Sequence, residues 1–167
     1  DFSGMSEPEL QALIDNNIWP RMAPYIPQAF HDELDGIVDG AAEADPPVSP
    51  PITLTDLRRM HALVELQEFN CTSLGALGPA TYDGRLIQIR VLDTDMDTGG
   101  QDNPVITVYR PDEGPAYCNV GFAGLIGSLA GINGERIAVC EVGETTPEAD
   151  LQDPATYDLF EGIPMTL

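Results

Sequence analysis

The sequence predicts an α+β fold, with helices over residues 1–70 followed by antiparallel strands. Three observations predict it. Apolar residues recur at helical spacing up to Phe69, the period shortens to two from Cys71 onward, and turn-forming Asp-Gly and Asn-Gly pairs punctuate the later part. At 167 residues, 43% of them apolar, the chain suits one globular domain with a real core.

The first expected helix is "SEPELQALIDNN". Ser6 and Glu9 form a capping box, Pro8 sits in the first turn, and Leu10, Leu13 and Ile14 share a face. "PQAFHDELDGIVDGAAEA" repeats the pattern with Phe30, Leu34, Ile37 and Val38. The proline-rich "DPPVSPP" at 45–51 cannot continue a helix. "TDLRRMHALVELQEF" then starts from a Thr55 cap, with Leu57, Met60, Leu63, Val64 and Leu66 as its buried stripe.

The strands follow. "CTSLGAL" and "RLIQIRVL" read as a hairpin turning at Asp83-Gly84. Three more are expected at 104–110, 116–122 and 135–142, separated by "PDEG" and "NGE". The closing "EGIPMTL" reads as the beginning of a helix, and the protein is expected to continue beyond it.

Charge narrows the partners. The net charge is -21, and all seven bases are arginines, at 21, 58, 59, 85, 90, 110 and 136. Nucleic acid and anionic membrane both need a positive field, so neither is expected as a partner. No run of apolar residues is long enough to span a bilayer. The ordinary reading of the acidity is a solvated surface of a salt-loving or extracellular protein.

Three cysteines, at 71, 118 and 140, have no metal-ligand spacing. Cys118 and Cys140 lie in apolar strand-like runs, either as buried thiols or as one disulfide, which leaves Cys71 unpaired. The lysine-free acidity together with such a bridge points to an extracytoplasmic, secreted or periplasmic, location.

Several patterns fail as sites. "DTDMDTGGQDNP" offers Asp93, Asp95 and Asp97, but a calcium loop needs glycine sixth and glutamate twelfth, where this chain has Thr98 and Pro104. His31 and His61 sit on separate helices without metal spacing and read as surface or half-buried residues. "GFAGLIGSLAG" lacks the Lys-Ser/Thr of a phosphate loop and reads as a place where a sheet and a helix pack closely. No metal or cofactor is therefore expected.

Cys71 is the exception. Thr72 and Ser73 beside it are poor core residues but good hydrogen-bonding groups. Arg90 and Asp93, at the end of the next strand, are carried back across the hairpin toward residue 71. An arginine there stabilises a thiolate, and the aspartate can hold an ammonium group.

A helical lead-in ending at Cys-Thr-Ser, then "ATYDG", a strand and Arg-x-x-Asp resembles the N-terminal-nucleophile hydrolases. The resemblance is to the isopenicillin N acyltransferase-like (acyl-coenzyme A:aminopenicillanic acid acyltransferase-like) family, with acid ceramidase, N-acylethanolamine acid amidase and choloylglycine hydrolase as more distant kin. "NVGFAGLIGSLAGINGERIAV" and "FEGIPMTL" resemble later segments of that family, so the likeness covers most of residues 30–167.

The resemblance implies an αββα sandwich, of which this chain holds a part. It also implies a precursor that cuts itself between Asn70 and Cys71, residues 1–70 being the lead-in and 71–167 the start of the nucleophile-bearing portion. Cys71 attacks the Asn70 carbonyl, and the new α-amino group, with a pKa near about 8, then serves as base for its own thiol. Arg90 orients nucleophile or substrate, Asp93 fixes the Cys71 amine, and Thr72 or Ser73 supports the site from behind. The substrate would be a small-molecule acyl amide or thioester, hydrolysed or transferred through a thioester intermediate. Self-association is compatible with this reading.

Two departures bear on it. The family reads Gly-Arg-Asn-x-Asp where this chain has Ile89-Arg90-Val91-Leu92-Asp93. Relatives often carry an oxyanion-hole asparagine where it has Cys140-Glu141-Val142, which leaves that donor to a backbone N–H. The alternative is a catalytically inactive domain of the same fold, a binding or structural module with a weak calcium loop at Asp93–Asp97.

Overall fold

A computed structural model describes residues 4–66, 70–93, 99–142, 160–164 and 167. It is α+β with antiparallel sheets. The chain divides into two compact units, one of 1–67, 124–126 and 145–167, the other of 68–123 and 127–144.

The first unit is helical. In α1 (Glu7–Leu13) the Glu9 carboxylate accepts from the Ser6 N–H at 2.9 Å and from its Oγ at 2.6 Å, which closes the expected N-terminus. Acidic Glu7 and Glu9 also suit the positive end of the helix. A π-helical turn (Ile14–Ile18) then leads into α2 (Trp19–Met22). Pro20 supplies the reason. It has no N–H to give and its ring crowds the carbonyl four residues back, so the chain widens by one residue just ahead of it.

α3 (Gln28–Glu43) ends at Ala44, ahead of Asp45-Pro46-Pro47, as the prolines require. α4 (Leu54–Val64) begins earlier than a Thr55 cap would allow. Its cap is Thr53, whose Oγ1 accepts from the Asp56 N–H at 3.2 Å while the Asp56 carboxylate takes the Thr53 N–H at 2.9 Å. Threonine followed three residues on by a carboxylate outcompetes the cap expected at Thr55. Arg59 then ties α4 to the π turn, its Nε donating to Asp15 Oδ1 at 2.9 Å.

The core of this unit joins Ile14, Ile18, Trp19, Met22, Ile26, Leu34, Leu57 and Ala62 to Ile126 and Phe160. Phe160 is fully buried, with the Arg21 guanidinium 5.6 Å from its ring centre. The described residues 160–164 form no α-helix, contrary to the expectation for "EGIPMTL"; Gly162 and Pro164 both interrupt one. His61, expected at or near the surface, is fully buried, its Nε2 3.1 Å from the Gly124 carbonyl oxygen. His31 is half-buried, edge-on to Trp19.

The second unit holds the strands. β1 (Asn70–Gly78) and β2 (Gly84–Asp93) pair as the expected hairpin. β3 (Pro104–Tyr109), β4 (Tyr117–Phe122), β5 (Ala130–Asn133) and β6 (Ala138–Cys140) form a four-stranded antiparallel sheet in sequence order. β5 was not anticipated, because four residues containing Gly131 carry too little alternation to register as a strand. Its pairing requires that glycine. A Cβ there would lie 2.6 Å from Ser128 Oγ and 2.9 Å from the Cys118 carbonyl.

All three cysteines are free. Cys118 on β4 and Cys140 on β6 are separated by β5, a spacing of about 10 Å between their strands. That is beyond disulfide reach, so this part of the extracytoplasmic argument falls away. Asp95 and Asp97 of the calcium alternative lie outside the described residues. Among the described residues no helix is long and apolar enough to cross a membrane.

Candidate active site

The hairpin register builds the site. Directly opposite residues of an antiparallel pair share a face, and neighbours along a strand alternate. The pairs Cys71↔Leu92, Ser73↔Arg90 and Gly75↔Gln88 therefore lie on one face, and Thr72↔Val91, Leu74↔Ile89 and Ala76↔Ile87 on the other. Arg90 is thus the diagonal neighbour of Cys71 on the same face, and its Nη2 lies 3.1 Å from Cys71 Sγ.

A third residue joins them. β6 ends at Cys140, and the next N–H, of Glu141, donates to the Leu129 carbonyl at 2.9 Å, extending the ladder by one bond. This fixes Glu141 beside the hairpin. Arg90 Nε donates to the Glu141 backbone carbonyl at 2.8 Å, and Arg90 Nη2 to Glu141 Oε2 at 2.6 Å. The same Oε2 lies 3.7 Å from Cys71 Sγ. Sulfur, guanidinium and carboxylate form a closed triangle, with the Arg90 side chain only 8% exposed and Glu141 19%.

The triangle has definite chemical capacities. A guanidinium held on two sides cannot swing away, so Nη2, which donates to Glu141, is also kept against the sulfur. A carboxylate close to a thiol can accept its proton through a small rotation. Together they can move a proton off Cys71 and stabilise charge that develops next to it.

The other expected residues are placed less closely. Ser73 shares the face of Cys71 and Arg90, while Thr72 points to the opposite face; both are exposed. Asp93 is directly opposite Asn70, on the face away from the Cys71 side chain, and is exposed. No hydrogen bond joins Asp93 to Cys71 among the described residues. No three His, Cys, Asp or Glu side chains among the described residues gather as a metal site.

Glu141 is the residue the sequence reading missed. It was visible only as the absence of an asparagine at that position. The signal that could have found it is charge scarcity: a strand arginine facing inward needs a carboxylate, and the one next to a strand end is the natural candidate.

The chain is similar to two proteins of Dictyostelium discoideum. One is protein dcd1A, 29% identical over 126 residues, covering 70% of this chain and 26% of that protein. The other is protein dcd1B, 32% identical over 119 residues, covering 70% of this chain and 22% of that protein. The chain thus spans about a quarter of the length of the curated relatives it matches. It matches no family model and no solved structure.

Proposed function

We propose that this chain carries the nucleophile of a cysteine N-terminal-nucleophile hydrolase of the isopenicillin N acyltransferase-like kind, one that cuts itself between Asn70 and Cys71. It then hydrolyses small acyl amides or transfers their acyl group through a thioester. The observation that carries this reading is the Cys71–Arg90–Glu141 triangle, with Arg90 Nη2 3.1 Å from the sulfur and 2.6 Å from Glu141 Oε2.

The chemistry runs in two stages. In the uncut chain Cys71 has no free amine, so another base must take its proton, and Glu141 Oε2 at 3.7 Å is the nearby carboxylate. Sγ attacks the Asn70 carbonyl carbon, the Asn70–Cys71 amide bond breaks, and the proton passes to the departing nitrogen. An Asn70–Sγ thioester remains until the Asn70 acyl group leaves. The freed α-amine then acts as base for the sulfur, and a substrate acyl group occupies the place that Asn70 left. Arg90 serves both stages by holding charge next to sulfur, and Asp93, opposite Asn70, is suited to hold the new amine.

The finer fold we infer is a four-layer αββα sandwich. Its support is apolar surface on the strands of the second unit. Leu74, Ile87, Ile89 and Val91 share the hairpin face turned away from Cys71, each at least half exposed. Ile106, Val108, Val120 and Ile132 share one face of the four-stranded sheet, Ile106 being 68% exposed. Contiguous apolar faces of this kind call for covering layers.

Cleavage need not scatter the products. Ile126 and Phe160 would belong to the later fragment, yet both are buried in the helical core with Ile18, Met22 and Leu34. The test is intact mass and N-terminal sequencing of the wild type and of Cys71→Ala, made from the full reading frame and purified under native conditions. The expected result is a second N-terminus at Cys71, co-eluting with its partner fragment and absent from the variant. An uncut chain in every preparation would move the weight to an inactive binding or structural domain.

A further inference from the structure

The charge of Arg90 is already matched. Its Nε donates to the Glu141 carbonyl and its Nη2 to Glu141 Oε2, with the side chain only 8% exposed. A substrate carboxylate brought to this guanidinium would therefore also meet the Glu141 carboxylate. The other arginines of the strand unit lie elsewhere. Arg85 pairs with Asp83 at the hairpin turn, while Arg110 follows β3 and Arg136 sits between β5 and β6, both at the end of the sheet opposite Glu141.

Glu141 is engaged through one oxygen. Oε2 accepts from Arg90 and lies 3.7 Å from Cys71 Sγ, whereas Oε1 accepts no hydrogen bond among the described residues. With the side chain 19% exposed, the nucleophile has beside it an acceptor in want of a donor.

We propose that Glu141 selects the amine portion of the substrate, and that this portion carries a second, cationic amino group, as a short diamine does. The inference rests on the hydrolase or acyltransferase reading above. The amine that leaves in hydrolysis and the amine that enters in transfer use one subsite, since each step is the reverse of the other. Thioester formation joins Sγ to the acyl carbon, breaks the acyl–nitrogen bond and passes the sulfur's proton through the Cys71 α-amine to the departing nitrogen. Once that α-amine exists, Glu141 has no proton to carry and can hold substrate instead.

The spacing suits a short chain. Two methylenes between the nitrogens put the distal ammonium about 5 Å from the acyl carbon. Glu141 is within the same range of the sulfur to which that carbon bonds. An ammonium there pairs with a half-buried carboxylate, where screening is weaker than at an open surface. A carboxylate in the same place meets like charge. The net charge of -21 acts in the same direction at longer range, so the two sources have to be separated.

The experiment uses amides of ethylenediamine, propylamine and β-alanine, which differ in the charge at the end of the amine: cationic, neutral and anionic. One set carries an acetyl group and another an octanoyl group. Values of kcat/KM are compared on the full-length, self-cleaved protein, wild type and Glu141→Gln. Ratios within one preparation are read, so slower maturation of the variant does not enter. A second measurement needs neither cleavage nor turnover. Aminoethyl and sulfonatoethyl methanethiosulfonates convert cysteine thiolates to mixed disulfides with loss of methanesulfinate. Peptide mapping gives each rate at Cys71, Cys118 and Cys140, normalised to mercaptoethanol.

The ethylenediamine amide should be preferred over the propylamine amide by roughly tenfold, and the β-alanine amide disfavoured by a similar factor. At Cys71 the cationic reagent should outpace the anionic one by about tenfold, and Glu141→Gln should remove the preference in both measurements. A preference that survives Glu141→Gln, or that Cys118 and Cys140 share in full, would assign it to the acidic surface and overturn the inference. Equal kcat/KM for all three amines in a protein that cuts itself would overturn it and leave the catalytic reading standing. A chain that neither cuts itself nor turns over any of these amides would overturn both.

Discussion

Arg90 binds both ends of Glu141, its Nε donating to the backbone carbonyl at 2.8 Å and its Nη2 to Oε2 at 2.6 Å. One residue beyond the end of β6 thus immobilises the guanidinium that touches Cys71. Removing the Glu141 carboxylate leaves a largely buried cation with only a backbone carbonyl and the Cys71 sulfur as partners. Glu141→Ala should destabilise the protein by about 3 kcal/mol, the order seen when one member of a buried pair is deleted. Glu141→Gln keeps the shape and should cost less, while still slowing self-cleavage if the carboxylate takes the Cys71 proton. Urea unfolding and cleavage time courses on the two variants separate these effects. Equal cleavage rates in Glu141→Gln and wild type would remove Glu141 from the proton-transfer role.

Thiol labelling offers an independent check on the site. Among the described residues, Cys71 alone of the three cysteines has a guanidinium N–H at its sulfur. A thiolate, the species that attacks iodoacetamide, is paired with that guanidinium there, while Cys118 and Cys140 are half-buried on an apolar sheet face. Iodoacetamide should label Cys71 roughly tenfold faster than either of the others, and Arg90→Ala should erase most of the difference. Peptide mapping after brief labelling reads this directly. Uniform labelling of all three would speak against an activated nucleophile.

How far these arrangements could be read in advance depends on whether the cause is local. The capping box at Ser6, the proline break after α3 and the Asp83-Gly84 hairpin are local, and each appears where short-range chemistry puts it. Arg90 could be expected near Cys71 for the same reason, since a hairpin register is set by its turn. Glu141 had no such local cause and only the scarcity of charge to point to it, because it is brought to Arg90 by a sheet whose third strand, β5, has almost no pattern of its own. His61 is a similar case. A histidine on an amphipathic helix is ordinarily placed at the rim, and only the return of Gly124 to α4 makes its burial possible.

That return depends on a backbone few side chains tolerate. Gly124 has φ +88°, and a Cβ on it would lie 2.8 Å from Met60 Cε and 3.4 Å from Leu57. Gly124→Ala should cost about 1–2 kcal/mol from the left-handed backbone alone. The clash with Met60 adds little, because a methionine end can move aside. Adding Met60→Ala to Gly124→Ala should therefore not restore stability. Thermal melting of the single and double variants checks this, and a full rescue by Met60→Ala would show that crowding, not backbone conformation, sets the cost.

His61 makes stability depend on pH in a defined window. Burial holds its pKa down from 6.5 to about 4, with the Gly124 carbonyl partly opposing the shift. In the folded chain the neutral ring donates from Nε2 to that carbonyl. Above pH 6.5 the ring is neutral in both folded and unfolded chains, and stability is at its full value. Below 6.5 the unfolded chain takes up a proton that the folded one refuses, so stability falls until the folded ring also protonates near pH 4. At 1.36 kcal/mol per pH unit, the loss from this group reaches about 2 kcal/mol by pH 5. Asp15 and Asp56, whose pKa values are lowered by Arg59 and Thr53 respectively, remain ionised at pH 5 and do not blur the comparison. Urea unfolding at pH 7.5 and pH 5 should show this difference in the wild type. His61→Gln keeps a donor for Gly124 without titrating and should lose most of it. An unchanged difference in His61→Gln would assign the pH dependence to other groups.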